Sequence, residues 1–413
     1  MKKFWIFCFL AVAFCAQSVY AQRQTLLVNP QVTDAEINVN LEPHYVAINR
    51  SATPKNQLLV FLPGTGGLPQ YYQLISNRAA DLGFHVINLN YPNDEAVRDL
   101  CGAPNADLDC YARVRMEILD GTDRTNLVNV NRANSIENRL VKLLVYLQTQ
   151  FPNDNWTQFL AANNSQIQWS KIVVAGHSQG AGHAGIIGRF HSVSRVIMFA
   201  GMDFNGVAGA PANWIARPET TPNATATDRF FGFSHTRDDS VNFTVLTTRV
   251  WTAYGMNNYG AVVNVDTTTP PYNNTHSLTT NYDCANTHGC TVVDAATPIG
   301  TGGTAVFRPV WEYLLSGTTV PFAVNSLQFA RNNGQIVIRP LVGLTTKYYK
   351  LILQGTNFTE TSKVFVSGIE VETEFINATE LRAKLPAGKI GGIGRSTIQI
   401  RNSNGQTTNV LSF

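Results

Sequence analysis

The sequence predicts an α/β domain, built on a mostly parallel sheet with helices on both faces, followed by a small all-β sandwich. Two observations carry this prediction. Between residues 44 and 315, short apolar segments alternate with segments whose apolar residues recur at helical spacing. After residue 321 the helical spacing stops, and short segments of alternating apolar and polar residues follow one another to residue 413.

The elements of the first region can be placed from this pattern. Helices are predicted over residues 70–82, 133–151 and 309–315. Irregular stretches around residues 101–110 and 203–228 predict loops over the carboxyl ends of the strands, where an open sheet binds ligands. Strands are predicted over residues 57–62, 84–89, 171–175, 195–200, 229–234 and 260–266, and in the second region over residues 335–338, 349–353, 363–366, 380–385 and 396–401.

The N-terminus has the parts of a secretory signal peptide. Lys2 and Lys3 supply positive charge, residues 4–16 are apolar, and Val19-Tyr20-Ala21 satisfies the small-x-small cleavage rule. The apolar part is shorter than the roughly 20 residues of a membrane-spanning helix. We therefore expect cleavage after Ala21, no membrane span, and a secreted or periplasmic protein. The expected division is a signal peptide over residues 1–21, an α/β domain over 22–320 and a sandwich over 321–413.

The cysteines predict two disulfides. Of the six cysteines, Cys8 and Cys15 lie in the expected signal peptide, and four remain. An even number in an exported chain indicates disulfides, and proximity along the chain favours Cys101–Cys110 and Cys284–Cys290. Neither spacing is usual for a zinc site, so we expect no metal. Charged residues make up 14% of the chain, the net charge is +3, and no basic run occurs, which argues against a nucleic-acid partner.

The segment Gly176-His177-Ser178-Gln179-Gly180 has the pattern G-x-S-x-G. An apolar, β-branched strand is predicted before it, and small apolar residues that can form a helix follow it. Strand, sharp turn and helix is the context in which this pattern places a nucleophilic serine. Because a serine hydroxyl is a poor nucleophile at neutral pH, Ser178 needs a base and a site that stabilises an oxyanion.

A glycine-rich loop supplies one part of the predicted oxyanion site. The segment Pro63-Gly64-Thr65-Gly66-Gly67 follows an early predicted strand. Such a loop can donate one backbone N–H, and the residue after the nucleophile donates the other. We therefore assign Thr65 and Gln179 to the oxyanion hole.

Three aspartates and two histidines compete for the remaining roles. Asp238 follows the predicted strand 229–234 and is the preferred acid; Asp239 and Asp203 are alternatives, because the order Ser…Asp…His fits each of them. His288 is the preferred base, because a Cys284–Cys290 disulfide would hold its loop and fix the ring, as a general base requires. His276 lies in an Asn/Thr-rich loop and is the alternative.

Together these residues resemble the α/β-hydrolase superfamily, in its secreted esterase and lipase-like branch, over residues 41–317. The resemblance implies Ser178 as nucleophile, Asp238 as acid and His288 as base, with Thr65 and Gln179 as oxyanion donors. The Pro63-Gly64 start of the glycine-rich loop departs from the His-Gly start of many members. Residues 354–359, 385–387 and 404–405 resemble an IPT/TIG immunoglobulin-like domain, an accessory module without catalytic residues.

The sequence thus predicts a secreted serine hydrolase that cleaves a small-molecule or polymeric carboxylic ester and needs no cofactor. One alternative is a peptidase or amidase with the same triad. Another is a non-catalytic protein on a decayed hydrolase scaffold that binds carbohydrate or a surface. The C-terminal domain is expected to contact a polysaccharide or a cell surface. Five aromatic residues are candidates for the lining of a substrate cleft but are expected to be mostly core, namely Trp214, Trp251, Tyr254, Tyr272 and Tyr282.

Overall fold

The computed structural model divides the chain into two compact units, one up to Leu315 and one from Ser316 to Phe413. It describes residues 23–161, 163–316, 323–331, 334–337, 348–356, 358, 361–377, 379–386, 396–401 and 407–413. The expected signal peptide, its cleavage site and the domain boundary expected at residue 320 lie outside these residues. Across the described ranges, every helix is too short or too polar to cross a bilayer.

The first unit is built on a nine-stranded sheet and also contains a short two-stranded ribbon. The strands of this unit are β1 (Arg23–Val28), β2 (His44–Asn49), β3 (Leu58–Leu62), β4 (His85–Asn88), β5 (Ile172–His177), β6 (Arg195–Phe199), β7 (Phe204–Asn205), β8 (Ala210–Pro211), β9 (Phe230–His235), β10 (Val263–Asn264) and β11 (Ser277–Thr280). The order in the large sheet is β1-β2-β4-β3-β5-β6-β9-β11-β10, and β7 and β8 form the ribbon.

Helices connect these strands. The α-helices are α1 (Pro30–Thr33), α2 (Gln73–Asp81), α3 (Val97–Cys101), α4 (Cys110–Asp120), α5 (Ile136–Gln150), α6 (Gln179–Phe190), α7 (Phe243–Val245), α8 (Trp251–Ala253) and α9 (Arg308–Ser316). A π-helical turn, Leu246–Val250, joins α7 to α8. Short 3₁₀ helices occupy Pro69–Tyr72, Arg132–Asn134, Pro152–Asp154, Trp156–Phe159, Trp169–Lys171, Asn213–Ala216, Thr227–Arg229, Met256–Tyr259 and Tyr272–Asn274.

Helices cover both faces of the sheet, which explains the unbroken apolar runs of its central strands. In β3, Leu58, Val60 and Leu62 pack into the core with α4, α5 and α6, whereas Leu59 and Phe61 pack into the core with α2 and α9. Strand β5 divides in the same way between the two cores. A strand buried on both faces has no polar positions, so it appears in the sequence as a continuous apolar segment.

The sheet is mixed but mostly parallel, as expected from the sequence. Strands β1 and β2, and β2 and β4, pair antiparallel at one edge, while the pairs from β4 to β10 are parallel. Among the elements that the sequence pattern missed are β1, β2, β11 and the helix α4. The strand predicted over 260–266 is limited to β10 at the sheet edge.

The second unit is a sandwich of two antiparallel sheets. One sheet has the order β13-β12-β14-β18-β17 and the other β16-β15-β19-β20. Leu351 and Leu381 from the first sheet share a core with Val364 and Ile400 from the second. The strands are β12 (Ala323–Ala330), β13 (Ile336–Val337), β14 (Tyr348–Thr356), β15 (Lys363–Val366), β16 (Ile369–Val371), β17 (Thr373–Asn377), β18 (Glu380–Pro386), β19 (Thr397–Arg401) and β20 (Leu411–Ser412).

Candidate active site

Ser178 occupies a sharp bend between β5 and α6. Its backbone has φ 53° and ψ −116°, a conformation that costs a non-glycine residue roughly 1–3 kcal/mol. Its neighbours two positions away have to be glycine. A Cβ at Gly176 would lie 2.2 Å from the carbonyl carbon of Gly180, and a Cβ at Gly180 would lie 1.9 Å from the carbonyl oxygen of Leu62. The G-x-S-x-G pattern is therefore a packing requirement of this bend.

A cavity of about 890 Å³ opens beside Ser178. Its wall combines the loop after β3, the segment around α3, the bend at Ser178 and the loops that carry Val241 and His288. Much of the lining is apolar, with side chains of Tyr71, Val97, Tyr111, Met202, Phe204, Val241 and Val293.

The five aromatic residues singled out from the sequence do not line this cavity within the described part of the chain. Trp214, Trp251, Tyr254 and Tyr272 are buried in the core, as expected, and Tyr282 is exposed. The cavity aromatics, such as Tyr71 and Tyr111, were not singled out from the sequence.

Asp238 and His288 form a hydrogen-bonded pair at this cavity. Nδ1 of His288 lies 2.9 Å from Oδ1 and 3.0 Å from Oδ2 of Asp238. The Asp238 side chain is fully buried, and its Oδ1 also accepts the backbone N–H groups of Ser240 and Val241, each at 2.9 Å. Because the carboxylate accepts, Nδ1 of His288 donates, which leaves Nε2 as the unprotonated ring nitrogen of the neutral side chain.

The other candidate acids lie in different surroundings. Asp239 is exposed and accepts the hydroxyl of Ser240 at 3.1 Å. Asp203 also lines the cavity, but both of its carboxylate oxygens accept from Arg115, at 2.6 Å each, and both side chains are 3% exposed. Arg115 in turn donates to the carbonyl of Gln179 at 2.9 Å, so this ion pair supports the start of α6.

The structure does not bring His276 to the serine. Its ring is stacked between Phe231 and Tyr259, with centroid distances of 4.0 and 4.3 Å. Its Nδ1 donates to the carbonyl of Phe230 at 3.0 Å. Burial, with the positive charge of Arg195 nearby, lowers the pKa of His276 to about 3. This side chain is a core histidine, held neutral.

The glycine-rich loop passes directly beside the serine. A Cβ at Gly64 would lie 3.2 Å from Cβ of Ser178. The loop is held by Asn93, whose Nδ2 donates to the carbonyls of Gly64 at 2.6 Å and Gly67 at 3.0 Å, and whose own carbonyl accepts the N–H of Gly66 at 2.9 Å. No pattern in the sequence marked Asn93, because it acts from a separate loop.

Two backbone N–H groups near Ser178 remain free to donate. Within the described ranges, neither the N–H of Thr65 nor that of Gln179 has an acceptor in the protein. The side chains of the two residues are joined, because the hydroxyl of Thr65 donates to Oε1 of Gln179 at 2.9 Å. The same oxygen accepts the N–H of Val97 at 3.2 Å, which fixes the orientation of the amide.

Both expected disulfides are confirmed. Cys101–Cys110 joins the end of α3 to the start of α4, with a Cα separation of 5.5 Å. Cys284–Cys290 encloses His288, with a Cα separation of 6.0 Å. His235 lies close enough to both sulfurs to form a metal-binding group with them, but sulfurs joined in a disulfide are not thiolate ligands.

A second anchor of the histidine loop was not anticipated. The carboxylate of Asp294 accepts the N–H groups of Gln73 and Leu74, at 2.8 and 3.0 Å, and so caps the start of α2. Burial raises the pKa of Asp294 to about 6, although the two N–H groups oppose that shift. The loop that carries His288 is therefore tied to α2 as well as closed by a disulfide.

Comparison with known families adds one assignment. Residues 337–413 match the family model of the IPT/TIG domain, which confirms the resemblance drawn for the C-terminal region. The match covers most of the described β-sandwich. A search of curated proteins found no match to the chain.

Proposed function

We propose that the first unit is an α/β-hydrolase domain and that the protein is an exported serine hydrolase that cleaves carboxylic esters. The observation that carries the proposal is the hydrogen bond between buried Asp238 and His288 at the cavity that also holds Ser178. The topology supports it: the serine follows β5, the aspartate follows β9 and the histidine follows β11. Ser…Asp…His is the chain order of α/β-hydrolase triads.

In the proposed reaction, Oγ of Ser178 attacks the carbonyl carbon of the ester. Nε2 of His288 takes the hydroxyl proton and later gives it to the departing alkoxide, so that an acyl-enzyme forms. Water, activated by the same nitrogen, then releases the acid. Asp238 holds the ring with Nδ1 protonated and stabilises the imidazolium that forms in each step.

The negative charge on the carbonyl oxygen needs donors that are in place beforehand. The free N–H groups of Thr65 and Gln179 suit this role, because both residues line the cavity next to Ser178. Gln179 also begins α6, where the helix dipole adds positive potential. One such donor is worth roughly 10²–10³ in kcat in related chemistry.

The lining of the cavity favours an uncharged ester. Arg115 is neutralised by Asp203, and Nε of Arg98 lies 3.5 Å from the carboxylate of Asp99. The apolar wall formed by residues such as Met202 and Phe204 suits a hydrocarbon or aromatic group of moderate size. All the proposed catalytic residues belong to the first unit. For the IPT/TIG unit we propose contact with a polymer or a cell surface.

The proposal is tested with p-nitrophenyl esters of increasing acyl length and the full mature chain. Ser178→Ala is expected to remove turnover while the circular dichroism spectrum stays unchanged. Ser240→Ala is the matched control, because Ser240 lines the same cavity and its hydroxyl, among the described residues, hydrogen-bonds only to Asp239. Turnover retained in Ser178→Ala, or absent from the wild-type chain across esters and amides, would refute the proposal.

A further inference from the structure

His177 precedes the serine and makes contacts that a packing residue would not need. It is 5% exposed, and its ring lies 4.7 Å from the ring of His288 and 5.9 Å from that of Tyr72, centroid to centroid. Both of its ring nitrogens have polar partners. His183, one turn into α6, is equally buried, yet neither of its nitrogens has a hydrogen-bond partner among the described residues.

One nitrogen of His177 holds the backbone of the proposed base. Nε2 lies 3.0 Å from the carbonyl oxygen of His288. Because a carbonyl only accepts, Nε2 of His177 carries the proton. Burial, together with the charge that His288 can carry, lowers the pKa of His177 to about 3, so the ring is neutral and Nδ1 is unprotonated.

The other nitrogen reaches the glycine-rich loop through Tyr72. Nδ1 of His177 lies 3.2 Å from the Tyr72 hydroxyl and accepts a hydrogen bond from it. The same hydroxyl oxygen accepts the N–H of Gly64 at 3.1 Å. Three hydrogen bonds therefore form a relay with one direction of donation: Gly64 donates to Tyr72, Tyr72 donates to His177, and His177 donates to the backbone of His288.

We propose that His177 is a positioning residue that sets the distance between the oxyanion donor of Thr65 and the imidazole of His288. This inference rests on the proposed function. The relay connects the residue before Thr65 to the main chain of the base, and it passes through the residue before the nucleophile. A displacement of about 1 Å between groups that act together in a transition state can cost about 10²-fold in rate.

Substitutions at each end of the relay test the proposal by steady-state kinetics on a p-nitrophenyl ester. His177→Phe keeps an aromatic ring but removes both hydrogen bonds, and kcat is expected to fall about 100-fold with KM within about threefold. His177→Gln places an amide N–H near the position of Nε2, and it is expected to restore kcat to within about tenfold of wild type. Tyr72→Phe removes the two hydrogen bonds that join Gly64 to His177 but keeps the bond from His177 to His288, and kcat is expected to fall about tenfold.

A matched control comes from the opposite end of the sheet. Nε2 of His85 also donates to a backbone carbonyl, that of Asp154, at 2.7 Å, and His85 is equally buried. His85→Phe therefore removes the same kind of bond away from the cavity, and kcat is expected to stay within about twofold of wild type. Equal kcat in His177→Phe and His85→Phe, or a rise in KM with kcat unchanged, would overturn the proposal.

Nuclear magnetic resonance tests the relay without reference to activity. In the ¹⁵N-histidine-labelled chain, His177 is expected to show the neutral tautomer protonated at Nε2 from pH 5 to pH 8. Protonation at Nδ1, or titration within this range, would overturn the proposal even if His177→Phe does not fold. If the wild-type chain has this tautomer but no hydrolase activity, the proposed function fails and the positioning role of His177 fails with it. An active wild type with the other tautomer overturns the relay alone.

Discussion

The carboxylate of Asp238 holds the imidazole of His288 at 2.9 Å across 50 residues of sequence, while the adjacent carboxylate of Asp239 lies exposed. Two backbone N–H groups fix the inner carboxylate, and a hydroxyl is the only group that donates to the outer one among the described residues. The sequence left both neighbouring aspartates as candidates for the acid, and the structure places them in different surroundings.

Asp238→Asn is expected to lower kcat about 10³–10⁴-fold, because the amide no longer favours a proton on Nδ1 of His288. Asp239→Asn is the paired control and is expected to keep kcat within about twofold. Ester turnover at pH 8 measures both. The reverse order of effects would assign the acid role to Asp239.

The two candidate histidines should separate in the same assay. His288→Phe is expected to lose turnover, because it removes the ring nitrogen that takes the hydroxyl proton of Ser178 in the proposed reaction. His276→Phe keeps an aromatic ring between Phe231 and Tyr259 and is expected to keep kcat within about twofold, with lower thermal stability. Turnover that survives His288→Phe and disappears in His276→Phe would contradict the assignment.

Acid should destabilise the first unit through its buried histidines. Burial, with Arg139 nearby, lowers the pKa of His44 to about 3. Between about pH 6.5 and pH 3 the unfolded chain binds a proton that the folded chain does not, so stability present above pH 6.5 is lost as the pH falls.

His44→Asn tests this dependence, because its amide oxygen can still accept the N–H of Asn90, as Nδ1 of His44 does at 2.9 Å. As the pH falls from 6 to 4, the free energy of unfolding of the variant is expected to decrease by about 1.4 kcal/mol less per pH unit than that of wild type. Urea unfolding at several pH values measures the slopes. Equal slopes of unfolding free energy against pH in the two proteins would show that His44 is not held neutral.

Asp294 should act in the opposite direction. Its folded-state pKa is raised to about 6 from a usual value of 3.8, so the stability it contributes is full below about pH 3.8 and is lost as the pH rises towards 6. Asp294→Asn removes this dependence. As the pH rises from about 3.8 to about 6, the unfolding free energy of the variant should therefore increase relative to that of wild type. An unchanged difference between the two proteins from pH 4 to pH 7 would contradict the burial-driven shift.

The sequence predicted the features that depend on residues close together in the chain. The bend at Ser178 could be found because glycine is the only residue that fits at 176 and 180, and the central strands could be found because both of their faces are buried. Strand β1 was missed because only one of its residues, Val28, is buried, so its composition carries little signal.

Long-range partners could not be predicted in the same way. Asn93, Tyr72 and Asp294 contact segments far from them in sequence, and each is an ordinary polar residue in its own surroundings. Asp203 was a reasonable alternative acid until its pairing with Arg115 was seen, because the residue that binds it lies 88 positions away. His288 could be ranked above His276 because the disulfide that closes its loop was visible in the cysteine spacing.

The most direct measurement of the central claim is the rate at which a fluorophosphonate probe labels the mature chain, with the modified residue located by peptide mass spectrometry. A serine activated by His288 predicts a single adduct on Ser178 that forms at least about 100-fold more slowly in His288→Phe. An adduct elsewhere, no adduct, or an equal labelling rate in the His288→Phe variant would contradict the account.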